Sequence, residues 1–206
     1  MKDEEIQQAT ASEPLTLEEE YAMQQSWRND ADKLTFIVCQ PIPSNYRALA
    51  NEDDSPERMI GDINLFLRVG DEDEDEKPQV IGEIELMIAE KKNQGKGYGK
   101  AALSSFLRYV LSYEADILGE YIAGDEEAKR AFPDGAAGKL LKFGVLSVKI
   151  GQANERSLGL FESLGFQRVG ESPNYFGEWE LRVQGVDVRS YTERVEGYKE
   201  IEYTRI

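Results

Sequence analysis

Three small groups of residues have the types and spacing to do chemistry. The first is Gln94-Gly95-Lys96-Gly97-Tyr98-Gly99-Lys100, set between a strand-like run at 82–89 and a helix-like run from Tyr98 to about Asp116. A glycine turn between strand and helix can aim several backbone N–H groups into one concavity. Lacking Cβ atoms, it lets a large anion come close, and the positive end of the helix dipole faces the same point. That chemistry is phosphate binding; a plain glycine-rich turn is the structural alternative. The second group is Glu83 and Glu85, which alternate along the strand-like run and so share a face. Close carboxylates raise each other's pKa, as a general base near neutral pH requires. The alternative is a cross-strand pair with Lys or Arg, or a solvated face. The third group is Asp62 and Asn64, which share a face of an earlier run, 59–69, opposite the face of Ile63, Leu65 and Leu67.

The spacing narrows the phosphate ligand. A P-loop needs Gly-x-x-x-x-Gly-Lys-Ser/Thr, but Gly99-Lys100 is followed by Ala101 and position 94 is Gln. A Rossmann turn needs Gly-x-Gly-x-x-Gly, whereas the glycines fall at 95, 97 and 99.

Composition bounds the setting. The 206 residues suit one domain with a real core. A formal charge of −16, from 40 acids against 24 bases, argues against a nucleic-acid backbone or an anionic membrane as partner. Around the glycine turn the local charge reverses, through Lys91, Lys92, Lys96 and Lys100. The single cysteine, Cys39, excludes an internal disulfide and reads as a core residue. With no histidine, His bases, Ser-His triads and most zinc sites fall away, and no metal is expected. No apolar run reaches membrane-spanning length and no signal peptide opens the chain, so a cytoplasmic protein is expected.

Along the chain, Thr16-Leu17-Glu18-Glu19 reads as a capping box for a helix from Leu17 to Asn29. Residues 34–39, 59–69 and 79–89 read as strands. Six consecutive acids inside 70–78 read as a solvated loop rather than a metal site, and 119–138 as an irregular, charged insertion. After the glycine turn, Leu103, Phe106, Leu107 and Val110 form the buried stripe of a helix. A strand over 142–150 follows, then a short helix with Asn154 as N-cap and Gly165 as its left-handed stop. Residues 166–170 and 175–183 form a last strand pair, and 184–206 a polar extension.

Two motifs carry a resemblance. Gln94-x-x-Gly97-x-Gly99 matches the Gln/Arg-x-x-Gly-x-Gly/Ala signature of GNAT acyl-CoA N-acyltransferases. About 60 residues further on, Asn154-Glu155-Arg156-Ser157-Leu158-Gly159-Leu160-Phe161-Glu162-Ser163-Leu164-Gly165-Phe166 resembles a second GNAT segment. The stretches at 10–24, 61–67 and 82–90 look like the N-acetyltransferase 9-like proteins of eukaryotes, and the resemblance runs from about Glu4 to Val183.

The resemblance implies an α/β GNAT fold over 1–183, with a mixed central sheet, splayed central strands and flanking helices. It implies acetyl transfer from acetyl-coenzyme A, without a metal, to an amine of a protein or peptide. The backbone of Met87 and Ile88 would pair with the pantetheine arm. The amides of Gly95, Lys96, Gly97, Tyr98, Gly99 and Lys100 would cradle the pyrophosphate beside Gln94, and Asn154 and Ser157 would flank the arm. Glu83 and Glu85 would supply the base, and Asp62 and Asn64 would orient the acceptor. Two departures stand out. The family's first strand is expected to be missing from the start of the chain, which would leave an open sheet edge and predicts either lower stability or a homodimer through it. A Tyr that protonates the leaving thiolate is replaced by Phe161. A GNAT-fold binding module with weak or no catalysis is therefore the competing reading.

Overall fold

A computed structural model describes residues 15–42, 52–70, 78–133, 141–185 and 198–201. Helix α1 (Leu17–Asn29) opens on the expected capping box. The Thr16 N–H donates to Glu19 Oε2 at 2.8 Å, and the Glu19 N–H donates to Thr16 Oγ1 at 3.3 Å. That backbone donor holds the Glu19 carboxyl below the usual carboxylate range. Strands β1 (Lys33–Cys39), β2 (Met59–Val69) and β3 (Val80–Ile88) come next. The glycine turn leads into α2 (Tyr98–Ser112), followed by α3 (Glu114–Gly124), α4 (Glu126–Ala131), β4 (Val145–Gly151), α5 (Glu155–Ser163), β5 (Gln167–Arg168) and β6 (Glu178–Val183). The strands form one six-stranded sheet in the order β1-β2-β3-β4-β6-β5, an α/β fold.

The chain divides into two compact units. The first comprises Met1–Thr35, Leu65–Ile84 and Glu114–Gly185. Here β3 runs parallel to β4, with Ile81, Gly82 and Glu83 opposite Val145, Leu146 and Ser147. β4 is antiparallel to β6, and β6 to β5. Leu65, Ile84, Leu146, Leu181 and Phe166 are buried. Trp27 of α1 meets Phe66 edge-on at 5.6 Å between ring centroids.

The second unit comprises Phe36–Asn64, Glu85–Tyr113 and Val186–Ile206. Its core takes Ile60 and Ile63 from β2 and the α2 stripe Leu103, Phe106, Leu107 and Val110, as the 3- and 4-residue spacing predicts. Phe36 of β1 packs edge-on against Phe106 and Tyr109. Residues 198–201 meet α2 and its C-cap: the Arg108 guanidinium sits 4.3 Å from the Tyr198 ring, and the Tyr113 hydroxyl donates to Glu200. A Cβ on Gly61 would fall 1.9 Å from the Met87 carbonyl oxygen, so only glycine permits that approach.

Four expectations are corrected. The helix after the glycine turn breaks at Tyr113 instead of running to 116. Residues 114–131, read as irregular from 119 onward, form α3 and α4. α3 buries Leu118, Tyr121 and Ile122, and the Asp125 carboxylate caps α4 by accepting from the N–H groups of Glu127 and Ala128. β4 begins at Val145, three residues later than expected. Cys39 is half-buried near the end of β1 rather than in the core; burial still pushes its thiol up. The expected loss of a first strand, the acidic run at 71–76 and most of the C-terminal extension lie outside the described residues. Among the described residues, no helix is long and apolar enough to cross a membrane.

Candidate active site

The glycine turn is built from its ends inward. Glu90 enters a short 3-10 turn, Lys91–Asn93, and Asn93 is buried. The Gln94 side chain then turns back, its Nε2 donating to the Ile88 carbonyl at 2.9 Å. This contact ties the turn to the last residue of β3. Gly95 (φ 71°) and Gly97 (φ 86°) both take left-handed conformations that L side chains rarely adopt, and a Cβ at either would meet nothing within 4 Å.

Gly97 is the N-cap of α2, with no side-chain cap, and the first turn holds no acid. The first bond of this helix runs from the Ala101 N–H to the Gly97 carbonyl at 3.0 Å, so the amides of Tyr98, Gly99 and Lys100 have no partner within the helix. Lys96 and Lys100 are exposed at the same end, whereas Lys92 is paired with Glu90 at 2.8 Å. Uncapped amides at a positive helix end, with open space at Gly95 and Gly97 and two exposed lysines nearby, are chemically suited to a pyrophosphate.

The expected site residues divide between the two units. The second unit holds Asp62, Asn64, Glu85, Met87, Ile88 and the whole of Gln94 to Lys100. The Asn64 Nδ2 donates to Asp62 Oδ2 at 2.7 Å, which brings this pair together as their shared face predicts. Burial pushes the Asp62 carboxyl up, and the Asn64 N–H offsets part of that rise. Glu85 is exposed on β3.

The first unit holds Glu83, Asn154 and Ser157. The Lys149 Nζ of β4 lies 3.0 and 2.9 Å from the two oxygens of Glu83, the cross-strand cation of the structural alternative. In the ladder Lys149 also stands opposite Glu180, which pairs with Arg182 at 2.7 Å. Asn154 caps α5: its Oδ1 accepts from the Ser157 N–H at 3.2 Å. One cap thus joins both residues named for the arm. Phe161 is 2% exposed and packs edge-on against Phe166 at 5.1 Å, so it serves the core.

Two contacts of the candidate site escape a reading of the sequence. Lys149 is the one charge in the run Val145–Ile150, and that isolation is the signal that could have flagged it. The Gln94 contact needs the backbone path of the turn, which the motif alone does not give.

Comparison with known proteins shows the family. Residues 1–167 match the family model of the Acetyltransferase (GNAT) domain. An N-acetyltransferase 9-like protein of Schizosaccharomyces pombe is 38% identical, over 89% of this chain and 84% of the relative. The alpha/beta-tubulin-N-acetyltransferase 9 of Homo sapiens is 42% identical, over 89% of this chain and 70% of the relative. Among solved structures, spermidine N-acetyltransferase from Vibrio cholerae in complex with CoA and spermine shares the fold. It aligns with a TM-score of 0.55 at 14% identity, over 91% of this chain and 85% of that one. The chain is therefore a member of the GNAT N-acetyltransferase family, in its N-acetyltransferase 9-like group.

Proposed function

We propose that this N-acetyltransferase moves an acetyl group from acetyl-coenzyme A to a primary amine of a protein or peptide. The observation that carries the reading is the open, uncapped turn Gly95 to Lys100 at the positive end of α2. The CoA complex of the Vibrio neighbour and the tubulin acceptor in the human relative's name support the donor and a protein acceptor. Acetyl-coenzyme A supplies the activated thioester.

This chain's residues bind and orient. The amides of Gly95 to Lys100 take the pyrophosphate, with Lys96 and Lys100 adding charge. The backbone of Met87 and Ile88 would pair with the pantetheine arm, and Asn154 and Ser157, joined by their own cap, are further candidates to contact it. Glu83 and Glu85 accept the proton of the acceptor amine, Glu83 only after Lys149 moves off it. Asp62 and Asn64 hold the acceptor. The same reading places the chain in the cytoplasm. Within the described strands β1 ends the sheet order, with Ile37 54% exposed, and a second copy would pair there. Sedimentation of the parent and of Ile37→Lys tests this: a dimer lost in the variant supports it, and a parent monomer at all concentrations opposes it.

Calorimetry tests the cradle. Gly97→Glu should abolish acetyl-coenzyme A binding, because its carboxylate would enter the concavity. Gly97→Ala separates backbone strain, roughly 1–2 kcal/mol, from blockage. Unchanged affinity in Gly97→Glu would sink the phosphate-cradle reading. Binding by the parent without thioester turnover would return the weak-module alternative.

A further inference from the structure

The turn between β5 and β6 presents two aromatic side chains that no described residue covers. Tyr175 is 97% exposed and Phe176 82%. Their rings meet edge-on at 5.4 Å, so they form one patch rather than two scattered residues. The turn beneath them is closely tied. The Asn174 N–H donates to the Glu178 carbonyl at 2.8 Å, and the Gly177 N–H to the Asn174 carbonyl at 2.9 Å. Asn174 Oδ1 accepts from the N–H groups of Phe176 and Glu178 at 2.9 and 3.0 Å. The Gly177 carbonyl accepts from the Gln152 N–H at 2.8 Å, which anchors the turn to the segment after β4.

The fold does not call for these rings. The turn depends on Asn174, through its side-chain oxygen, and on Gly177, whose φ of 76° favours glycine. Polar residues at 175 and 176 would serve it equally well. Two apolar faces left in water add no stability, and a fixed turn lowers the ordering cost of binding through them. Aromatic side chains held in this way are suited to anchor a binding surface. Charge then narrows the partner. From Val169 to Leu181 there are three acids, Glu171, Glu178 and Glu180, and no base. Glu180 is paired with Arg182. Glu171 and Glu178 meet no cation among the described residues; the Glu178 carboxylate takes the neutral Asn174 amide at 3.1 Å.

We propose that this aromatic turn anchors a basic segment of a partner protein, with arginine side chains laid over the Tyr175 and Phe176 rings and paired with Glu171 and Glu178. A guanidinium suits both halves of the patch, because it stacks on an aromatic face and pairs with a carboxylate. The same acids oppose an anionic membrane, and they oppose a second copy of this chain, whose own turn carries them too. The formal charge of −16 attracts a basic segment from a distance. The inference is independent of acetyl transfer, since it calls for guanidinium groups and no reacting amine.

Calorimetry on the full chain tests the anchor. The probe is a short peptide of alternating Arg and Pro, acetylated at its N-terminus and amidated at its C-terminus, so that it holds no primary amine. The parent should bind it, and more weakly as salt is added. Tyr175→Ser combined with Phe176→Ser should weaken binding by about tenfold or more. The thermal midpoint of that double variant should stay unchanged, because neither side chain packs on the fold. Tyr175→Trp combined with Phe176→Trp should keep the affinity, and Glu171→Gln should flatten its salt dependence. A parent that does not bind the peptide overturns the anchor, as does equal affinity in the parent and the Ser double variant. Equal binding of a peptide with Glu in place of Arg overturns it too. Partition of the parent, but not of the Ser double variant, into phosphatidylcholine vesicles would replace the basic segment with a membrane.

Discussion

Asp62 carries a stability consequence apart from its proposed role with the acceptor. Burial raises its folded-state pKa above the unfolded value, so the native state holds the proton more tightly than the unfolded chain does. For an acid shifted upward, stability falls as pH rises from the unfolded value through the raised folded one. The penalty is then complete at neutral pH. Asp62→Asn should therefore raise the thermal midpoint at neutral pH, by about 2–4 °C for each kcal/mol recovered. The gain should shrink on acidification through the ordinary carboxylate range, where the parent's Asp62 is itself protonated. A midpoint lowered at neutral pH would mean that the charge is stabilised by something other than its present contacts. At Glu83 the expectation runs through catalysis. Glu83→Gln removes the proposed base and should lower kcat by about 10²–10⁴-fold, with acetyl-coenzyme A affinity kept. The Lys149 pair is partly exposed, so its loss costs at most on the order of 1 kcal/mol of stability.

At the scale of elements, local chemistry was readable and tertiary placement was not. The Thr16 capping box, the Asn154 cap and the left-handed Gly165 (φ 99°) each depend on a few neighbouring residues, and each marks its helix end as the sequence predicts. The glycine turn was legible for the same reason. α3 and α4 were missed because Gly119, Gly124 and a dense run of charges mask a short stripe of Leu118, Tyr121 and Ile122. That stripe earns its helix by burial: the Tyr121 hydroxyl is pushed up to about 12, chiefly by desolvation. Leu118→Ala should cost about 2–5 kcal/mol in urea unfolding, as for a filled core site. A cost near zero would return this stretch to the irregular insertion first expected. α1 offers the contrast. It buries no residue fully, so Thr16→Ala should fray the helix, seen as faster amide exchange, with little change in the global midpoint. The cation on Glu83 was hidden for a different reason: Lys149 reaches it only through the β3–β4 register, which no local pattern encodes.

For the molecule as a whole, a formal charge of −16 opposes an anionic donor. Charges further away than the Debye length, about 8 Å at physiological salt, are largely screened, so Lys96 and Lys100 at the turn outweigh the remote acids. Acetyl-coenzyme A affinity should fall with added salt, and Lys96→Gln with Lys100→Gln should flatten that dependence. An affinity that rises with salt would give control to the global charge. The central claim is acetyl transfer to an amine, and mass spectrometry of acceptors incubated with isotope-labelled acetyl-coenzyme A tests it most directly. Tubulin and a pool of peptides with free amino groups serve as acceptors. The account predicts labelled acetyl groups on amines with the parent chain, none with Gly97→Glu, and far fewer with Glu83→Gln combined with Glu85→Gln. Unlabelled acceptors from a folded parent that binds acetyl-coenzyme A, or undiminished label from Gly97→Glu, would contradict it.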